Sequence, residues 1–212
     1  MRRVPVTVTV VSMDVTTVQA YDVRAPELAA GMRRFAPEMI YVGLSDIFHA
    51  GRATADIGCG SGRDVAWLQA LGYQVVGYDA SAGMLHEART VFPDSDLRQD
   101  SLPDLASIPD GAYWNVLCSA VLMHLPQEDL PAAMVALARI LVPGGRLYLT
   151  FRQRCETSER EEDGRLFTAV AMDTLALLLE SSGFQILLRS GKADELRPDV
   201  HWAKIGAERN SS

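Results

Sequence analysis

The spacing of apolar residues changes period repeatedly along this chain. Near the start, Val4, Val6, Val8 and Val10 alternate with Pro and Thr, the period of two expected of a strand. An ordered edge strand and a mobile arm both satisfy that pattern. Over residues 24–50 the spacing lengthens: Leu28, Met32, Phe35, Met39, Ile40, Leu44, Ile47 and Phe48 recur at near-helical intervals. Pro26 and Pro37 divide this stretch into at least two helices. ATADIG (53–58) then reads as a buried strand closed by glycine. Residues 62–71 read as a helix with Val65, Ala66, Leu68 and Leu71 inward, ended by Gly72. YQVVGYD (73–79) is a strand, and Ser81 can cap a helix over 82–90.

The same alternation continues to the end. Leu97 sits in a short strand before Asp100, and AYWNVLCSA (112–120) is a third clear apolar run. Residues 127–141 form an amphipathic helix stopped by Pro143-Gly144-Gly145, followed by the strand RLYLTF (146–151). A Leu-rich helix over 169–182 ends at Gly183, and strands follow at 184–190 and 200–209. Strands alternating with helices through short links predict a mainly parallel α/β sheet. The last two strands are joined only by residues 191–199, too few and too polar for a crossover, so they pair antiparallel. The layout predicts a helical cap over 14–50 and a core over 51–212. Residues 1–13 are set apart as an N-terminal extension; a translation start at Met13 would make the first twelve residues that extension.

Composition narrows the functional classes. The 212 residues suit one domain, and 48% apolar with 22% charged residues is ordinary for a globular chain. The net charge is −7, which disfavours a phosphate-binding face and makes a nucleic-acid partner unlikely on bulk grounds. Cys59, Cys118 and Cys155 are odd in number and widely spaced, so neither a disulfide framework nor a cysteine metal site is expected. A reducing compartment, the cytoplasm, is the simplest reading. Met1-Arg2-Arg3 before VPVTVTVV mimics the start of a secretion signal, but Pro5, Thr7 and Thr9 interrupt it and no small-x-small site follows. No apolar run approaches the roughly 20 residues that span a bilayer.

The candidate chemistry gathers at strand ends. Asp56-Ile57-Gly58-Cys59-Gly60-Ser61-Gly62 follows the first buried strand and opens a helix, where glycines let the backbone approach a ligand closely. The spacing is G-x-G-x-G, whereas a dinucleotide fingerprint wants a third small residue where this chain has Arg63. Asp79 ends the second strand, 21 residues after Gly58, where a carboxylate can accept both hydroxyls of a ribose. Capping the next helix is the other role for that acid. Asp100 ends the third strand beside Ser101 and Leu102. Ligands of open parallel sheets lie across the carboxyl ends of the strands, so Asp56, Asp79 and Asp100 share one rim.

The ordered set ADIGCGSGRD, VVGYDAS, LRQDSLPDL, WNVLCSAVLMHLP and LVPGGRLYLTF resembles the class I S-adenosylmethionine-dependent methyltransferases, in particular the small bacterial methyltransferase-11/25-like ones. The resemblance covers roughly residues 53–190. It implies a Rossmann-like seven-stranded sheet of order 3-2-1-4-5-7-6 with the last strand antiparallel. It also implies S-adenosylmethionine as methyl donor and S-adenosylhomocysteine as product. Carried over by position, Gly58, Cys59, Gly60 and Gly62 face the methionine part, with Asp56 at their base. Asp79 holds the ribose, Ala80 and Met84 line the adenosine side, and Asp100, Ser101 and Leu102 surround the base. Ser119, Ala120 and Val121 lie beneath the sulfonium. The chain departs from the pattern at Asn115, where Asp is frequent, and at Arg63-Asp64, which puts the contacts of that turn in doubt.

Direct displacement needs no nucleophilic side chain, so few residues are candidates for catalysis. His124 follows the fourth strand and is a candidate general base or a packed structural histidine. Tyr21 precedes the cap helices and is a candidate to touch donor or acceptor; ordinary packing is the other reading. Either Arg33 or Arg34 can reach the donor's carboxylate or lie on a solvated face. His49, His86 and His201 read as structural. The charged loop RQRCETSEREEDGR (152–165) reads as a solvated surface. The acceptor pocket is expected between residues 14–50 and 152–172, with Leu166, Phe167, Val170 and Met172 as a wall or as core. The expected function is methyl transfer to an O or N atom of a small molecule by a monomer or homodimer, without metal or membrane. A nicotinamide-dependent oxidoreductase and a non-catalytic cofactor-binding protein are the alternatives.

Overall fold

The computed structural model describes residues 13–153, 159–193 and 201–211. The strand-or-arm expectation for residues 1–12 and the thiol of Cys155 lie outside the described residues. Four short helices come first: α1 (Val15–Val23), α2 (Ala25–Met32), α3 (Pro37–Ile40) and α4 (Leu44–Ile47). Asp14 starts α1 by accepting the Thr17 N–H at 2.8 Å. Pro26 and Pro37 stand in the first turns of α2 and α3, where a missing N–H costs nothing.

The alternating part follows: β1 (Ala53–Ile57), α5 (Arg63–Ala70), β2 (Gln74–Asp79), α6 (Ala82–Val91), β3 (Asp96–Gln99), β4 (Tyr113–Ser119), α7 (Leu130–Ile140) and β5 (Leu141–Gln153). Then come β6 (Glu159–Arg160), β7 (Leu166–Phe167), α8 (Met172–Ser181), β8 (Phe184–Ala193) and β9 (His201–Arg209). The main sheet has seven strands in the order β3-β2-β1-β4-β5-β9-β8; β6 and β7 form a separate hairpin. Numbering only the strands of that sheet gives 3-2-1-4-5-7-6. All pairs are parallel except those of β9, which runs against both β5 and β8.

Strand alternation sorts the core onto two faces. In β4, Val116 and Cys118 face one layer and Leu117 the other; in β5, Leu147, Leu149 and Phe151 oppose Tyr148. Leu137 of α7 and Leu179 of α8 fill the first face, Leu68 of α5 and Leu85 of α6 the second. Apolar positions on both faces are why these strands read as runs rather than alternations.

Two segments differ from the sequence expectation. Pro143-Gly144-Gly145 does not stop a helix; α7 ends at Ile140 and β5 already begins at Leu141. Between paired positions Tyr113↔Leu141 and Asn115↔Arg146, two residues of β4 advance against five of β5. The extra residues bulge at the Pro-Gly-Gly, where proline lacks a donor for the ladder. The second difference is the charged segment after β5. Its described part folds back as the β6–β7 hairpin and closes on α1, because Asp14 takes a bidentate pair from Arg160 at 2.8 and 2.9 Å. The Leu166 N–H also donates to Thr17 Oγ1 at 2.9 Å.

Candidate functional site

Strand order reverses between β1 and β4, and the loops leaving their carboxyl ends open a crevice there. Gly58 has φ +75°, and a Cβ on it would lie 2.2 Å from Val121 Cγ2. Only glycine lets the loop after β1 abut the loop after β4 so closely. Gly60 donates its N–H to Asp79 Oδ2 at 2.8 Å, and Ser81 donates its N–H to Asp79 Oδ1 at 2.8 Å. Ser81 caps α6, its Oγ accepting from the Met84 N–H at 3.0 Å, so Asp79 is released from capping. Burial pushes the Asp79 carboxyl up, and the Ser81 and Gly60 N–H groups oppose that shift.

Asp100 is held in its own turn. Oδ1 accepts from the Ser101 N–H at 2.7 Å, and Oδ2 accepts from the Ser107 N–H and hydroxyl at 2.8 and 2.5 Å. On the other side of the crevice, Ser119 and Thr150 share a hydroxyl contact of 2.7 Å, and Ala120 takes φ +58° while donating its N–H to Thr150 O at 2.8 Å.

These groups surround one cavity of about 1090 Å³. Gly58, Cys59, Gly60, Asp79, Ala80 and Met84 line its β1–β2 side. Asp100, Ser101 and Leu102 line the end near β3, and Ser119 and Ala120 form the floor at β4. Asp56 and Gly62 are not part of this wall. Gly62 faces α6, with Ala88 Cβ and Phe92 Cδ2 each 3.1 Å from where its own Cβ would stand. It supplies the close helix packing that Arg63 is too large to give. Asp56 lies on the strand face opposite Ile57, fully buried, and its Oδ2 is without a hydrogen-bond partner. Burial, reinforced by the nearby Asp64 charge, drives its carboxyl well above the usual range. Burial likewise raises the Cys59 thiol, so it is not a thiolate at neutral pH.

Arg63 and Asp64 tie the cap to the glycine loop. They form a bidentate pair at 2.7 and 2.8 Å, Arg63 Nη1 donates to Met32 O at 2.9 Å, and the Tyr41 hydroxyl donates to Asp64 at 2.6 Å. Arg33 and Arg34 are absent from the cavity wall, and Arg34 is exposed. Asn115 is fully buried and pins the cap linker to the sheet. It accepts the His49 N–H at 2.8 Å and donates to His49 O at 2.9 Å and Thr54 Oγ1 at 3.1 Å.

At the far end of the cavity the structure brings Tyr21 and His124 together. The Leu166 carbonyl can only accept, so His124 Nδ1 carries the hydrogen of their 2.7 Å contact. Nε2 is then bare and accepts the Tyr21 hydroxyl at 3.0 Å. Burial is the main cause that lowers His124 to a pKa of about 4, so it is neutral at pH 7. Burial raises the Tyr21 phenol, and the neighbouring Arg165 opposes the rise. Of the predicted apolar wall only Phe167 faces the cavity; Val170 is in the core. Thr17, Arg152, Glu161, Arg165 and Lys204 also line it and were not singled out from sequence. Arginines turned inward by a hairpin have the same composition as arginines on a solvated loop, so no local signal marks them.

Among the described residues no group of His, Cys, Asp and Glu could hold a metal ion, and no helix is long and apolar enough to cross a membrane. Residues 55–149 match the family model described as a methyltransferase domain. A ubiquinone biosynthesis O-methyltransferase of Xanthomonas oryzae pv. oryzae is 36% identical over 109 residues, 50% of this chain. The match spans 45% of that relative, so the chain covers under half the length of the curated relative. A SAM-dependent methyltransferase of Methanosarcina mazei superposes with TM-score 0.73 at 19% identity, covering 81% of this chain and 99% of the other. The Burkholderia thailandensis 1,6-didemethyltoxoflavin-N1-methyltransferase, solved with bound 1,6-didemethyltoxoflavin and S-adenosylhomocysteine, gives TM-score 0.67 at 18% identity. That likeness covers 92% of this chain and 84% of the other.

Proposed function

We propose that this chain is a class I S-adenosylmethionine-dependent methyltransferase that moves a methyl group from S-adenosylmethionine to an oxygen or nitrogen of a small-molecule acceptor. The observation that carries this reading is the Asp79 carboxylate, fixed by two backbone N–H groups on the cavity wall beside the glycine loop. Each of its oxygens keeps a lone pair for a ribose hydroxyl. Asp100, Ser101 and Leu102 would flank the adenine, Ala80 and Met84 the adenosine face, and Ser119 and Ala120 the floor under the reacting sulfur. Gly58, Cys59 and Gly60 would take the methionine part, while Gly62 supports them by packing on α6.

When bound, the donor supplies a methyl group on a positively charged sulfur, ready for displacement by a lone pair. The chain's own contribution is confinement and alignment, worth roughly 7–11 kcal/mol in favourable cases. A volume of about 1090 Å³ exceeds the roughly 300–1,000 Å³ of single-ligand sites, leaving room for an acceptor beside the donor. Tyr21 is the group set against the acceptor, and His124 positions its hydroxyl. Net charge −7 favours a free small molecule over a nucleic acid, and the buried free thiols Cys59 and Cys118 suit the cytoplasm.

The test is transfer of radiolabelled methyl from S-adenosylmethionine to a small-molecule extract. Label in a low-mass product supports the reading. S-adenosylhomocysteine binding without labelled product would point to a non-catalytic protein of the same fold.

A further inference from the structure

Resting on the reading of the cavity as a methyl-transfer site, we propose that the acceptor enters as an anion, an ionised phenolic or enolic hydroxyl or a carboxylate, and that Arg165 is its counter-ion. Arg165 lies on the cavity wall with its guanidinium carbon 5.6 Å from the ring centroids of both Tyr21 and Phe167. Phe167 also packs edge-on against His124, with centroids 4.8 Å apart. A cation flanked by two rings beside the candidate dyad forms a pocket for a charged, planar group.

The surrounding charges leave this role open. Arg165 spends two of its five N–H donors, Nε and Nη2, on a single oxygen of Asp163, each at 2.9 Å. Asp163 is shared with Arg24, which also pairs with the exposed Glu27 at the outer edge. Asp14 is occupied by Arg160, and Glu161 lies 3.5 Å from Arg152. Asp163, Asp14 and Glu161 thus each face a guanidinium, Asp79 farther along the wall is held by backbone N–H groups, and Tyr21 and His124 are uncharged at neutral pH.

The dyad points the same way. A proton taken from a neutral alcohol would have to pass through Tyr21 to His124, whose burial makes it a weak base. An anionic acceptor needs no such step. Its oxygen forms the O–CH₃ bond while the S–CH₃ bond breaks and the pair stays on sulfur. One negative and one positive charge cancel, and no proton moves.

The probe is 4-nitrophenol, whose ionisation is read by absorbance, titrated against pH with the full chain in excess and S-adenosylhomocysteine present. The expectation is that wild type binds the phenolate about tenfold or more tightly than the phenol, lowering the probe's apparent pKa by one unit or more. Arg165→Gln should lose that preference, and Arg165→Lys should keep part of it. Calorimetric binding of S-adenosylhomocysteine should be the same in all three. An unshifted or raised pKa, no saturable binding of the probe, or a shift that persists in Arg165→Gln overturns the proposal. Loss of S-adenosylhomocysteine binding in wild type would instead overturn the donor reading on which it rests.

Discussion

His124 gives the sharpest link between burial and a measurable pH dependence. Its ordinary pKa is 6.5, and in the folded chain it falls to about 4. A depressed value means the folded state holds the ring neutral while the unfolded state takes up a proton as pH drops through 6.5. Stability from this group is therefore complete above pH 6.5 and lost progressively toward pH 4, below which the loss levels off. Integrating between pH 7 and pH 4.5 gives a loss of about 2.5 kcal/mol from this one ring. The raised carboxyls of Asp56 and Asp79 act with the opposite sign, so wild type alone does not isolate the effect. His124→Gln does. The variant forfeits the Tyr21 contact and is expected to be about 1–2 kcal/mol less stable at pH 7. By pH 4.5 that deficit should be erased or inverted, because glutamine does not titrate. Urea unfolding at both pH values reads the two gaps. Parallel pH curves for wild type and variant would refute the assignment of a buried neutral imidazole held by Leu166 O and Tyr21.

Other perturbations test the supports of the cavity. Gly58→Ala places a methyl 2.2 Å from Val121 Cγ2 at φ +75°, so it should cost about 2–4 kcal/mol in thermal unfolding. Adding Val121→Ala should recover the steric part and leave the backbone part. Asn115→Ala leaves His49 N–H and Thr54 Oγ1 with a lost partner inside the protein, which should cost about 2–4 kcal/mol by chemical denaturation.

Much of this architecture is legible in the sequence because the strands carry it openly. ATADIG, YQVVGYD and AYWNVLCSA are apolar runs, the first closed by glycine and the second by an acid, and they became β1, β2 and β4 with the carboxyl ends of all three on the crevice. The antiparallel return of β9 followed from the shortness of residues 191–199. Asp79 was legible by spacing, but its two backbone donors were not, since those depend on where the glycine loop folds. Asp56 shares the rim in sequence yet points to the other face, because alternation along β1 sends it opposite Ile57. The Tyr21–His124 contact joins residues 103 positions apart, and Arg165 reaches the cavity only because the hairpin is drawn onto α1 by Arg160 and Asp14. Such placements come from tertiary charge pairing, which no local pattern encodes.

The most direct measurement is calorimetric titration of the full chain with S-adenosylhomocysteine, alongside NADH and the Asp79→Asn variant. One saturable site is expected for S-adenosylhomocysteine, no heat for NADH, and about 10–100-fold weaker binding in the variant, as for a lost hydrogen bond to a charged group. Heat from NADH with none from S-adenosylhomocysteine, or undiminished affinity in Asp79→Asn, would contradict the donor site at its foundation.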